Sequence, residues 1–166
     1  QDVLIEDVSL LQEYKKEEDL LKKLPLHEFD LLKGYQVVFV PGIFTNQYGG
    51  LSKFLHRWGA PLPKGHTQPF YDQQDWFKKI GIDFDVPYVL GEMGPQFNAD
   101  RIADALLKHD KKIIFLTHSK GGIDLLYFFI LYPELRERAV GWLSFQTPFY
   151  GSPLIDCVVK CPIIGK

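Results

Sequence analysis

Phe115-Leu116-Thr117-His118-Ser119-Lys120-Gly121-Gly122 runs an apolar stretch directly into a serine and two glycines, and the glycines open a strongly apolar segment that reaches Tyr132. The stretch reads as a strand, the segment as a helix, and Ser119 as the residue on the sharp turn between them. Such a turn exposes a hydroxyl at the carboxyl end of a sheet. Ser119 is therefore the candidate catalytic nucleophile. The start of the following helix offers free N–H groups and a positive dipole end, both of which favour a developing oxyanion. The N–H of Lys120 is the natural first donor. The loop after the first strand, at Ile43 or alternatively Phe44, would supply the second. Small residues two before and two after the serine would let the turn approach its neighbours. Gly121 meets that demand, whereas Thr117 is β-branched.

Outward from this turn, strands and helices alternate. Val37 to Val40 is a continuous apolar run ending at Pro41-Gly42, as expected of a strand buried on both faces. Residues 43–70 are rich in Gly and Pro, with a short helical stretch from Leu51 to Trp58. Asp85 to Leu90 is a second strand, with Pro87 favouring an edge position. Asn98 would cap a helix carrying Ile102, Ala105 and Leu106 and ending in Lys108 and His109. Ile113 to Leu116 is the third strand. Gly122 to Tyr132 is apolar nearly all round, which predicts a buried helix. Pro133 suits the first turn of a short helix, Glu134 to Arg138, and Val140 to Phe145 is the fourth strand. The fold class is α/β: a mostly parallel sheet flanked by helices, with right-handed crossovers.

Residues 1–34 form a separate N-terminal helical arm, and 35–166 the core. In the arm, Ser9 and Gln12 resemble a capping box, and Leu10, Leu11, Tyr14, Leu20, Leu21 and Leu24 fall at helical spacing. The stripe packs surface helices onto the core or, alternatively, binds a protein partner.

Composition narrows the function. Of 166 residues, 46% are hydrophobic and 24% charged, with a formal net charge of -2, an ordinary balance for a globular domain. No long basic run exists, so nucleic-acid binding has no electrostatic support. No apolar stretch approaches the roughly 20 residues of a membrane-spanning helix. The chain begins at Gln1 without a visible signal peptide, which reads as a processed or trimmed start and leaves the compartment open. Cys157 and Cys161 read as small apolar fillers, or as a disulfide if their segment is not helical. Two thiols with no following histidine make no metal site. No cofactor or metal is implied.

The motif T-H-S-K-G-G, residues 117–122, resembles the nucleophile elbow of α/β-hydrolase lipases and esterases. P-G-I-F, residues 41–44, resembles their oxyanion loop, with Pro41 where a histidine is more familiar. T-P-F-Y-G-S-P-L, residues 147–154, resembles a segment of the bacterial triacylglycerol lipases. The resemblance covers residues 36–156. It implies a partial α/β-hydrolase core in which Ser119 attacks a carboxylic ester with an apolar acyl group, and Ile43 and Lys120 N–H groups form the oxyanion hole. The substrate is an ester or lipid-like small molecule.

The family also uses an acid and then a histidine after the serine. None of the five histidines, His27, His56, His66, His109 and His118, follows Ser119. The resemblance thus implies that an acid and a histidine beyond Lys166 complete the relay. His118 adjoins the serine but should point away from it. His66 is a loop residue or an upstream base, and His56 and His109 look like helix-surface residues. Asp124 reads as a hydrogen-bonding helix residue, and Lys120 as a packing or solvated lysine, or as one that steers anionic substrates. The apolar tail with Leu154, Ile155, Val158 and Val159 is a lid or acyl-chain contact, or packing against a further part of the domain. Two alternatives stand beside ester hydrolysis: a non-catalytic binding or scaffold protein, and an acyltransferase or thioesterase on the same site.

Overall fold

The computed structural model describes residues 25–42, 70–91 and 93–153. Within them β1 (Tyr35–Val40), β2 (Phe84–Asp85), β3 (Lys112–His118) and β4 (Ala139–Phe145) form one sheet in the order β2-β1-β3-β4, every pair parallel. The helices are α1 (Tyr71–Ile80), α2 (Pro95–Leu106), α3 (Lys120–Leu131) and α4 (Pro133–Arg136), and a 3-10 helix, Leu26–Gly34, precedes β1.

β1 explains the layering. Alternate residues of a strand face opposite sides of the sheet, and here both sides are apolar. Val38 and Val40 pack with Ile113 and Phe115 of β3 beneath α2 and α3, through Ile102, Leu106, Leu125 and Phe128. Val37 and Phe39 face the other way, onto Phe77 of α1 and Ile82, with Phe29 and Leu32 of the 3-10 helix at the rim. Phe39, Phe115 and Phe128 are fully buried, each stabilising the fold by about 2 kcal/mol from transfer alone. The arm expected over 1–34 is described only from Pro25 onward, as this 3-10 helix and the residue before it; residues 1–24 lie outside the described residues.

Four sequence expectations change. The second strand is two residues long and begins at Phe84, earlier than expected, although its edge position holds. Side chains secure this short edge: Asp85 accepts from Gln36 at 3.2 Å and lies 3.1 Å from His109 Nε2. His109 therefore sits beyond the end of α2 and is not a helix-surface residue. Asn98 does not cap α2. The helix starts earlier, with Gly94 as N-cap and Pro95 in the first turn, where a missing N–H costs nothing.

α3 is also not buried all round. Its packed face is Gly121, Gly122, Asp124, Leu125 and Phe128, while Tyr127, Ile130 and Leu131 are exposed. β4 likewise exposes Val140, Leu143 and Phe145. A parallel sheet is ordinarily covered on both faces, and the described residues do not cover this end. Apolar composition marks a surface that can be buried; which side is buried depends on the neighbours. At the opposite end of the strands, Arg138 donates to Leu106 O at 2.9 Å and to Lys111 O at 3.0 and 3.2 Å, closing the carboxyl end of α2 with a cation.

Candidate active site

β3 ends at His118 and α3 begins at Lys120, so Ser119 alone makes the turn. Its φ of 54° and ψ of −129° lie outside the left-handed helical region and strain any residue with a Cβ. Two backbone hydrogen bonds hold it there. Its N–H donates to Phe145 O at 2.9 Å, and its carbonyl accepts from Gly122 N–H at 3.2 Å. β1 lies between β2 and β3. The chain leaves β1 toward one neighbour and later returns beside the other. The carboxyl ends of β1 and β3 therefore flank a switch point, where open α/β sheets bind ligands. Gly42 and Ser119 stand at those two ends.

Glycine is demanded here by close approach. A Cβ on Gly42 would fall 2.6 Å from Ser119 Cβ, 2.8 Å from His118 O and 3.1 Å from Lys120 N. The segment after β1 is thus pressed against the serine turn. A Cβ on Gly121 would collide with Val40 O and lie 2.6 Å from Pro41 O, and one on Gly122 would strike the Thr147 side chain. Ile43 and Phe44, the expected second oxyanion donors, lie outside the described residues, as do His56, His66, Cys157, Cys161 and the apolar tail from Leu154.

Thr117, the β-branched residue where the turn favours a small one, is fully buried and satisfied. Its Oγ1 accepts from Trp142 Nε1 at 2.9 Å and donates to Ser144 Oγ at 3.3 Å; Ser144 Oγ donates on to Thr147 Oγ1 at 2.6 Å. This chain of hydroxyls runs from β3 through β4 to the residue that abuts Gly122. Thr117→Val keeps the shape and removes the hydroxyl, so it is expected to destabilise by about 1–3 kcal/mol in urea unfolding, by leaving the indole N–H unpaired. Thr117→Ser should lose less than half as much.

Lys120 turns its side chain along α3, away from solvent. Its Nζ donates to Asp124 Oδ1 at 2.6 Å, and the two side chains are 16% and 1% exposed. Asp124 Oδ2 accepts from Asn98 Nδ2 at 2.9 Å. Asn98 is itself buried and clasps Leu90, donating to its carbonyl and accepting from its N–H, both at 2.9 Å. Burial, the largest influence on Asp124, raises its pKa above 3.8 despite the opposing pull of Lys120 and Asn98. An acid whose folded pKa is raised holds its proton longer in the fold than in the unfolded chain. Its contribution is fully present below 3.8 and is lost as pH rises through the folded value. Stability of the parent relative to Asp124→Asn is therefore expected to fall with rising pH, measured by urea unfolding from about pH 3 upward. A difference that is flat or rises with pH would contradict this.

His118 packs on the opposite face of the sheet, edge-on to Phe70 with ring centroids 6.4 Å apart. Its Nε2 is 3.1 Å from Gln146 Oε1, and its Nδ1 is buried with no hydrogen-bond partner among the described residues. His27 lies 3.8 Å from Glu28 Oε1 and His109 3.1 Å from Asp85 Oδ2, neither of them a residue of the serine turn. Among the described residues no histidine hydrogen-bonds to Ser119, and no group of side chains could hold a metal ion. Sequence reading missed Asn98 and Trp142 as site supports. The spacing of four between Lys120 and Asp124 was the one legible sign of the buried pair.

No protein-family model and no curated protein matches the sequence. Among solved structures, the chain is similar to a metagenomic carboxyl esterase, with 26% identity and a TM-score of 0.58 over 75% of this chain and 33% of that one. It is also similar to a Bacillus licheniformis lipase in its mature form, with 20% identity and a TM-score of 0.56 over 81% of this chain and 51% of that one. The fold is that of an α/β-hydrolase core. The chain spans about a third of the esterase and about half of the lipase. Among the described residues, no helix is long and apolar enough to cross a membrane.

Proposed function

We propose that the whole protein hydrolyses a carboxylic ester with an apolar acyl group, and that Ser119 is its nucleophile. One observation carries the reading: Ser119 alone spans the turn from β3 to α3, in strained backbone geometry, at the switch point of a parallel sheet. Strain of that kind persists only where the surroundings impose it, and it gathers at sites of function.

In this reading Ser119 Oγ attacks the ester carbonyl as a base removes its proton. The N–H of Lys120 donates to the oxyanion that forms, and Ile43 N–H, or Phe44 N–H in its place, donates second. Collapse of the tetrahedral intermediate releases the alcohol and leaves an acyl-serine, which water then cleaves. The base and its acid come from parts of the enzyme outside these 166 residues. The esterase and lipase likenesses, each to a longer chain, support this division.

A second reading, a non-catalytic binding protein on a hydrolase core, is favoured by the lack of a histidine at Ser119 among the described residues. Reaction of the full-length protein with a fluorophosphonate probe separates the two. Covalent labelling mapped to Ser119 is expected. An intact, folded, full-length protein that stays unlabelled would sink the hydrolase reading.

A further inference from the structure

We propose that Asp124 is a positioning residue, which acts through Lys120 and Asn98 to fix the first turn of α3 and with it the Lys120 N–H beside Ser119. The inference rests on the hydrolase reading for the use made of that N–H.

The first turn of α3 lacks the usual restraints. Ser119 stands at the N-cap but makes no side-chain cap hydrogen bond. Gly121 and Gly122 follow, and glycine loses the most freedom when ordered. Their close approaches to Val40, Pro41 and Thr147 require an absence of side chains there. Lys120 is thus the one residue of positions 119–122 whose side chain can anchor the turn, and it is anchored, by the pair to Asp124 at 2.6 Å.

The anchor continues. Asp124 is held by Asn98, and Asn98 by both backbone groups of Leu90, so the turn is tied through two side chains to the segment before α2. Both protons of the Asn98 amide are used, one on Leu90 O and one on Asp124 Oδ2, and its oxygen accepts from Leu90 N–H. The amide orientation is therefore fixed by its neighbours.

Helix energetics do not account for this pair. A cation in the first turn opposes the helix dipole. Lysine four residues before an acid is also the weaker order of an ion pair along a helix. A buried pair commonly does no better than apolar side chains of the same size. What the pair does supply is geometry. It also neutralises the Asp124 charge, which would otherwise repel an oxyanion forming at Ser119.

The test uses the full-length protein carrying Lys120→Met with Asp124→Asn, which removes the charges together and leaves none buried alone. The expected result is a thermal midpoint near that of the parent, a rate of fluorophosphonate labelling at Ser119 reduced about tenfold or more, and faster hydrogen exchange at the amide of position 120. For an ester that the parent turns over, kcat should fall while KM stays close to the parent value. Lys120→Arg, which keeps the pair, should restore most of the labelling rate. If the double variant is as stable as the parent and also matches it in labelling and exchange, the pair is only structural and the inference is overturned. If the double variant fails to fold, Asn98→Ser, which loosens the neutral arm alone, carries the same expectation and the same risk. A parent that does not label would overturn the hydrolase reading; the exchange arm would then decide by itself whether Asp124 orders the turn.

Discussion

Gly121→Ala is expected to destabilise this protein by about 3 kcal/mol or more, although it adds one methyl group at a position where alanine is the better helix former. The reason is what the methyl meets. At Gly121 it would run into Val40 O and come within 2.6 Å of Pro41 O and 2.9 Å of Val40 C. All three are backbone atoms at the end of β1, the strand buried on both faces. No rotamer change relieves the contact; either α3 lifts from the sheet or β1 bends. Lifting α3 would pull Leu125 and Phe128 out of the core they share with Phe115, and the turn at Ser119 would move with them. Gly34→Ala is the control. Nothing lies within 4 Å of a Cβ there, so its effect should stay within about 0.5 kcal/mol. Urea unfolding of both variants checks the pair of expectations. A Gly121→Ala protein as stable as Gly34→Ala would mean that α3 does not lie against β1 as described.

The features that were legible in the sequence and those that were not differ in physical kind. β1 is legible because a strand buried on both faces needs an uninterrupted apolar run, and β3, buried on one face and half-buried on the other, carries a similar run. Ser119 between Phe115-Leu116-Thr117-His118 and two glycines was equally plain, since a strand-to-helix turn pressed against its neighbours leaves room only for small residues. β2 begins earlier than its sequence suggests because two paired residues carry no periodicity, and its support from Gln36 and His109 is distant in sequence. The place of Asn98 is hidden for a related reason. Its side chain suits an N-cap as a residue type, but its amide is taken up by Leu90 and Asp124, and the cap falls to Gly94 and Pro95. Thr117 looked like a departure from the motif. Its role became visible only with Trp142 and Ser144 across the sheet, a relation that spacing along the chain does not encode. The exposed side of α3 is not legible because hydrophobicity records what a surface can bury, while the neighbours decide what it does bury.

Ser119→Gly is expected to do two opposite things: abolish reaction with an ester or a fluorophosphonate, and make the protein more stable than Ser119→Ala by about 1 kcal/mol or more. Loss of a serine nucleophile lowers turnover by up to the order of 10^6-fold in enzymes of this chemistry. Both substitutions remove the hydroxyl, so both should lose the reaction. They differ in the Cβ. At φ 54° and ψ −129° alanine keeps the strain that serine bears, whereas glycine adopts this region freely. The freedom glycine adds to the unfolded chain works against the gain, so the difference measured is a lower bound on the strain released. Among the described residues, two other non-glycine positions with positive φ provide the comparison. Phe70, at φ 66° and ψ 12°, lies in the left-handed helical region, where a side chain is tolerated at modest cost, and Gln146 has φ 52°. Only at Ser119 does the strained residue also carry a hydroxyl at the switch point of the sheet. Thermal and urea unfolding of the glycine and alanine variants, set beside their labelling, test the link directly. A glycine variant less stable than the alanine variant by the roughly 0.4–1 kcal/mol that glycine's added unfolded-state freedom costs would mean that the turn stores no strain, and the observation that carries the hydrolase reading would fall. A more stable and unreactive glycine variant would show that the fold gives up stability at the one position where its chemistry requires an exposed oxygen.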